Sequence, residues 1–161
     1  MLRDEIRTHI IRPTLQVANL WSECAEILVY GTGIVESNYQ HIIQIGNPAG
    51  GALGFFQMEA ATFKDHCKWL DLFPQKNVKN NILAACYYVS MPIDPFVLIS
   101  NIKFAALLCR AHYLRVPKPL PPANDAAALS QYHKKYYNTA LGKADPESNA
   151  KIFQEIIDGK L

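Results

Sequence analysis

The stretch CAEILVYGTGIVESNY, residues 24–39, decides how this chain is expected to fold. Its apolar residues recur at helical spacing, which predicts a helix over Cys24–Val35 that begins at Ser22 or Glu23. Two glycines inside this segment cost roughly 1 kcal/mol each relative to alanine. They therefore indicate close packing, for instance against the backbone of another helix.

Glu36 ends this apolar run and is the first candidate for a chemical role. A carboxylate at the carboxyl end of a helix is disfavoured by the helix dipole, so an ordinary surface role explains it poorly. Desolvation by Val35 and by aromatic side chains such as Phe55 and Phe56 is expected to raise its pKa. A carboxylic acid that keeps its proton near neutral pH can act as a general acid.

Length and composition predict one folded domain that spans residues 1–161. Half of the residues are hydrophobic and 19% are charged, a balance typical of globular chains of this size. The start of the sequence is charged and lacks the apolar segment of a signal peptide, and no stretch looks apolar enough to span a bilayer. A target outside the cytoplasm would therefore require another delivery route.

The cysteines and histidines predict no metal, no cofactor and no disulfide framework. The cysteines are scattered without a C-x-x-C pair, and the histidines lack the spacing of a metal-binding motif. Buried free thiols are the expected state of the cysteines. The residues concerned are Cys24, Cys67, Cys86 and Cys109, with His9, His41, His66, His112 and His133.

The segment from Lys103 to Lys143 carries seven basic residues against Asp125 alone, although the whole chain has a formal charge of only +2. Such an asymmetry could favour an anionic partner such as peptidoglycan, or it could be an ordinary solvated face. It does not by itself predict nucleic-acid binding, which is not expected.

The remaining pattern predicts a mainly α fold with a short loop or β element. Residues 46–51 are rich in turn formers, and residues 52–58 read as a loop or short strand that enters a helix. Helices are predicted over Leu2–Trp21 (kinked or divided at Pro13), Thr62–Trp69, Val78–Val89, Phe96–Val116, Ala126–Tyr137 and Pro146–Ile157, with a loop over Asn138–Asp145.

Four sequence blocks occur in a suggestive order. They are GIVESNY (33–39), GALGFFQM (51–58), NNILAACYY (80–88) and YYNT (136–139). Together they resemble the catalytic E-S motif, the G-x-x-G-hydrophobic-hydrophobic-Q stretch, the N-I-x-x-G-x-x-Y-L helix and the Y-N block of the goose-type lysozyme and lytic transglycosylase superfamily, specifically its small phage members. Ala85 stands where the third motif usually has glycine. The similar region covers about residues 25–138.

The resemblance implies a lysozyme-like domain whose cleft binds peptidoglycan glycan strands. It makes Glu36 the catalytic acid and base, which cleaves the β-1,4 bond between MurNAc and GlcNAc and leaves a 1,6-anhydro-MurNAc end. Ser37 would either lie near the acid or cap the helix, and Tyr136 competes with Tyr137 for a place in the cleft. Tyr39 and Met58 are weaker cleft candidates. The implied substrate-binding residues are Ser37, Phe56, Gln57, Tyr137 and Asn138.

Two other interpretations stay open at this point. A hydrolytic muramidase would cut the same bond with water held by a second carboxylate, for which Asp65 or Asp71 is the residue to test. A virion or tail component could keep the fold for structure or glycan binding, with other virion proteins as partners. The phage setting implied by the resemblance has the protein made in the host cytoplasm and acting on the periplasmic wall, either as an endolysin or carried by the particle.

Overall fold

A computed structural model describes residues 2–46, 51–72, 76–138 and 145–161. These residues are mainly helical, which confirms the predicted mainly α class. The α-helices are α1 (Leu2–Glu5), α2 (Arg12–Val17), α3 (Glu23–Ser37), α4 (Ala60–Leu72), α5 (Lys76–Ala85), α6 (Val97–Ser100), α7 (Ile102–Leu114), α8 (Ala126–Tyr136) and α9 (Pro146–Ile157).

The N-terminal region is helical through Pro13, with a π-helical segment over Ile6–Ile11 between α1 and α2. Pro13 lies in the first turn of α2, directly after the π-helical segment, and the helical backbone continues through it. The helix ends at Val17, earlier than predicted, because Asn19 adopts a left-handed conformation with φ of 55°.

Helix α3 forms the buried axis of the fold. The Ser22 hydroxyl caps its start by accepting the Ala25 N–H at 3.2 Å. A Cβ atom added at Gly31 would fall 2.3 Å from the Phe153 ring, and one at Gly33 would fall 2.2 Å from the Tyr39 ring. The predicted close packing is confirmed, although aromatic rings rather than a helix backbone approach these glycines.

The apolar segment that predicted one helix over Phe96–Val116 forms two helices, α6 and α7. Asn101 separates them with an extended backbone, φ −131° and ψ 93°. Its side chain accepts the Phe104 N–H at 3.0 Å and so caps the start of α7. Most residues of α7 are buried in the core.

Helix α5 also ends earlier than its predicted bound of Val89. Tyr87 takes a left-handed conformation with φ of 59°, and Val89 is fully exposed. Val89 therefore does not share the buried face of Ile82 and Cys86. Ile82 and Cys86 themselves are buried.

Helices α8 and α9 pack extensively against each other, and α9 also packs on α3. The predicted bounds of α9 are confirmed, and Asp145 caps its start by accepting the Ser148 N–H at 3.0 Å. The loop predicted over Asn138–Asp145 lies largely outside the described residues, as does part of the predicted loop at 46–51.

The predicted loop or β element at residues 52–58 consists of isolated antiparallel bridges. Leu53 pairs with Ile43 and with Met58. Gly54 follows with φ of 70°, and a Cβ atom there would lie 2.4 Å from the Leu98 carbonyl oxygen. Glycine is thus required at this position both for its backbone conformation and for the approach of α6.

All four cysteines are free thiols, of which Cys86 and Cys109 are buried, and Cys24 and Cys67 are half-buried. Burial raises the pKa of Cys86 to about 11 and holds the pKa of Cys109 higher still. Within the described ranges, no helix is long and apolar enough to cross a membrane.

Candidate functional site

Glu36 lies in the last turn of α3, where the chain leaves the core. Its side chain is 14% exposed, so the carboxyl group reaches the surface from a largely buried position. Asn38 ends the helix in a left-handed conformation, with φ of 54°, and its N–H donates to the Ile34 carbonyl at 2.9 Å. The backbone on both sides of the acid is therefore fixed.

Two nitrogen groups from the end of α8 contact the same oxygen of Glu36. His133 Nε2 and the Asn138 side-chain amide each lie 3.0 Å from Glu36 Oε1. Oε2 takes no hydrogen bond from any described residue. Among the described residues, the protein thus holds one carboxyl oxygen of Glu36 and not the other.

His133 is fully buried, and its Nδ1 atom has no hydrogen-bond partner among the described residues. A proton on that nitrogen would be a buried donor without an acceptor, which is costlier than an unused lone pair. The proton therefore belongs on Nε2, from which it is donated to Glu36 Oε1. With two donors on Oε1, a proton carried by the carboxyl group lies on Oε2.

Tyr137 lies one helical turn after His133, and their rings stack with centroids 5.8 Å apart. Its hydroxyl donates to the Phe56 carbonyl at 2.7 Å. Burial raises the pKa of Tyr137 well above its ordinary value, so the hydroxyl keeps its proton for this bond. Tyr137 therefore ties the end of α8 to the loop at residues 51–58.

Ser37 is buried, and its hydroxyl lies 2.7 Å from the Phe55 carbonyl and 3.1 Å from the Gly33 carbonyl. It also accepts the Tyr39 N–H at 3.1 Å. Of the two predicted roles, this geometry is that of a helix-end cap. The side chain links α3 to the loop and does not present its hydroxyl to a ligand.

The loop residues predicted to contact the substrate are either buried in the core or hydrogen-bonded to the loop itself. Phe56 is 1% exposed and packs edge-on against Tyr39, so its side chain belongs to the core. Tyr39 and Met58 are buried as well. Gln57 is partly buried, and its amide donates to the Gly54 carbonyl at 2.8 Å. Gln57 Oε1 accepts no hydrogen bond from the described residues.

Tyr136 takes a different place from Tyr137. It lines a cleft of about 560 Å³. Its ring packs on Tyr132 with centroids 4.7 Å apart. The other residues that line this cleft are Ala61, Thr62, Asp65, His66, His112, Arg115, Val116 and Pro117.

The two carboxylates considered as holders of a hydrolytic water are both engaged with cations. Asp65 accepts from Arg115 at 2.6 Å, and this ion pair holds the pKa of the exposed Asp65 carboxyl below its ordinary value. Asp71 pairs with Lys79. Asp65 lines the cleft, whereas Asp71 does not.

Reasoning from sequence missed His133, His66 and His112. The spacing of the histidines in the sequence bears only on metal-binding motifs. Among the described residues, no group of three or more histidine, cysteine or acidic side chains could hold a metal ion. The signal for His133 was available, because residues four apart on α8 share a face and Tyr137 was already a candidate. Its pairing with Glu36, 97 residues away, required the tertiary structure.

Comparison of the chain with protein-family models, with curated proteins and with solved structures finds no match.

Proposed function

We propose that this protein is a peptidoglycan lytic transglycosylase with a lysozyme-like fold and Glu36 as its acid and base. The observation that carries the proposal is the asymmetry of the Glu36 carboxyl group. Oε1 accepts from His133 and Asn138, whereas Oε2 is free of hydrogen bonds from described residues on a side chain that reaches the surface. A general acid needs a fixed carboxyl plane and an oxygen open to the substrate.

The chemistry follows from that arrangement and from the acetamido groups of cell-wall glycan. The proton on Glu36 Oε2 passes to the oxygen between MurNAc and GlcNAc as the bond from that oxygen to the MurNAc anomeric carbon breaks. The carbonyl oxygen of the MurNAc acetamido group attacks the anomeric carbon and supplies the nucleophile, so a second protein carboxylate is not required.

The second half of the reaction uses the same carboxylate as a base. Glu36 takes the proton from the 6-hydroxyl group of MurNAc, whose oxygen displaces the acetamido oxygen at the anomeric carbon and closes a 1,6-anhydro ring. Glu36 ends as it began, protonated, and no water is consumed. Acid–base catalysis of this kind contributes about 10² to 10⁴-fold in rate.

The contacts of the following residues support their roles in this proposal. Hydrogen bonds from His133 and Asn138 fix Oε1 of Glu36, and this sets the direction that Oε2 faces. Tyr137 fixes the end of α8 against the loop through the Phe56 carbonyl. Gln57 is the loop residue whose side-chain carbonyl oxygen is free of hydrogen bonds from described residues and suits an acetamido N–H group. The engagement of Asp65 by Arg115 favours the transglycosylase over a hydrolase that would use Asp65 as a base.

The proposed setting follows the resemblance to small phage proteins, with the glycan strands of the periplasmic cell wall as substrate. The experiment that tests the proposal is digestion of purified, dye-labelled peptidoglycan by the wild type and by Glu36→Gln. Glu155→Gln, at an exposed position on α9, is the matched control. We expect release of soluble dye by the wild type and by the control, and its loss in Glu36→Gln with an unchanged circular dichroism spectrum.

Equal release by the wild type and by Glu36→Gln would exclude Glu36 as the acid. No release by any of the three proteins from accessible wall would instead favour a structural or glycan-binding component.

A further inference from the structure

Two histidines outside the Glu36 site contact each other beside the cleft. His66 on α4 is 3% exposed, and its Nε2 lies 2.8 Å from Nδ1 of His112 on α7. His112 Nε2 lies 2.6 Å from the Tyr136 carbonyl oxygen at the end of α8. At the other end, an Arg115 guanidinium nitrogen lies 2.7 Å from His66 Nδ1. The contacts form one continuous chain.

The two ends of this chain fix every proton within it. A carbonyl oxygen can only accept, so His112 Nε2 must carry a hydrogen. A guanidinium group can only donate, so His66 Nδ1 must offer its lone pair. A neutral His66 then carries its hydrogen on Nε2 and donates it to His112 Nδ1. A proton added to either imidazole would place two donors face to face, so both rings are neutral.

The surroundings keep these rings neutral. Burial lowers the pKa of His66 to about 3, and the nearby Arg115 charge adds to that effect. Burial also lowers the pKa of His112, and this effect outweighs the hydrogen bond to the Tyr136 carbonyl, which raises that pKa; Arg115 and His133 lower it further. Asp65, which opposes the effect at His66, is itself bound to Arg115.

The chain ends on a backbone group that the helix leaves without an internal partner. The last carbonyl groups of a helix receive no hydrogen bond from within the helix. His112 Nε2 supplies a donor to the last carbonyl of α8, which belongs to Tyr136. The next two residues are Tyr137 and Asn138, which contact the Phe56 carbonyl and Glu36 Oε1. A displacement of the Tyr136 peptide would therefore move both contacts.

We propose that the directed chain Arg115→His66→His112→Tyr136 carbonyl is a positioning device that holds Asn138 against Glu36. None of its four groups forms a hydrogen bond with Glu36. They act through the backbone at the end of α8. The effect on catalysis rests on the proposed function, whereas the chain and its hold on Asn138 do not.

Nitrogen NMR of the protein labelled with ¹⁵N-histidine tests the chain of hydrogen bonds directly at neutral pH. We expect His66 and His112 both in the neutral form with the hydrogen on Nε2. We also expect a scalar coupling between His66 Nε2 and His112 Nδ1 across their hydrogen bond. A hydrogen on Nδ1 of either ring, or a charged ring at neutral pH, would overturn the proposal.

Variants of His112 test the hold on Asn138. In His112→Phe we expect the Asn138 side-chain amide resonances to move toward those of a solvent-exposed amide, with a protein that stays folded by circular dichroism. His112→Gln, whose amide can replace the Nε2 donor, should restore them largely. The same Phe substitution at His41, which is exposed, is the control. Unmoved Asn138 resonances in a folded His112→Phe would refute the positioning role.

Activity provides a separate readout. If the proposed function holds, His112→Phe lowers the rate of glycan cleavage about tenfold or more, because small misplacements of a catalytic group are costly, and His112→Gln recovers most of it. If the wild type has no activity but the NMR results hold, the proposed function fails while the positioning chain stands.

Discussion

Replacing Glu26 with glutamine is expected to remove about 3 kcal/mol of unfolding free energy at neutral pH. Glu26 on α3 is 2% exposed. Arg7 donates to Oε1 and Trp21 to Oε2, each at 2.8 Å, and Arg12 donates to both oxygens. After the substitution these donors surround a neutral amide, which cannot balance the positive charges of the Arg7 and Arg12 guanidinium groups.

The magnitude follows from the pKa of this carboxyl group. Burial alone would raise the pKa, but the hydrogen bonds from Arg12, Trp21 and Arg7 outweigh it and lower the pKa from 4.5 to about 2. Each unit corresponds to about 1.4 kcal/mol. Because the folded-state pKa is the lower one, this contribution is fully present above pH 4.5 and is lost as the pH falls toward 2.

Urea unfolding followed by circular dichroism, at constant ionic strength, measures the effect. The difference between wild type and Glu26→Gln should be about 3 kcal/mol at neutral pH and should shrink steadily below pH 4.5. Glu155→Gln, at an exposed position, should differ from the wild type by less than about 0.5 kcal/mol. A difference that does not change with pH, or none at neutral pH, would refute the electrostatic account of this buried carboxylate.

Three further predictions concern stability, each measured by urea unfolding. Gly54→Ala should lower the unfolding free energy by about 2–4 kcal/mol, because it adds a clash with the Leu98 carbonyl to the strain of a positive φ. Gly159→Ala has a similar φ of 71° but open space around it, so it should lower the unfolding free energy by only about 1 kcal/mol. Equal costs would contradict the clash. Gly33→Ala should cost about 1–3 kcal/mol by displacing the Tyr39 ring, and a neutral effect would contradict that contact. The unfolding free energy of the wild type should fall below pH 6.5 by about 1.4 kcal/mol per pH unit from His66 alone, since the folded-state pKa of His66 is about 3. His66→Phe should lack this component. An unchanged dependence of stability on pH in that variant would contradict the prediction.

Local patterns predicted the bounds of α9 but not the division between α6 and α7. Pro146 suits the first turn of α9, and the structure adds an acidic cap from Asp145. The division between α6 and α7 was missed because Asn101 sits inside an unbroken apolar pattern. Its side-chain cap on α7 competes with continuation of the helix. The early end of α5 was also missed, because a tyrosine in the sequence does not indicate the left-handed backbone that Tyr87 adopts.

The candidate site was predictable only in part. The sequence predicted Glu36 at a helix end, and the family resemblance named Asn138 and Tyr137. In the structure Asn138 contacts Glu36, and Tyr137 contacts the Phe56 carbonyl. The histidine contacts could not be read from spacing, because they join α4, α7 and α8 across long stretches of chain. Ser37 and Phe56 were named as substrate contacts, but each is buried and packed within the fold.

The mass of the glycan ends that this protein releases from purified peptidoglycan distinguishes a lytic transglycosylase from a hydrolase most directly. We predict muropeptides that end in 1,6-anhydro-MurNAc, one water lighter than the hydrolysis products, with none released by Glu36→Gln. Products with a reducing MurNAc end would contradict the transglycosylase mechanism and assign a hydrolase to the same site.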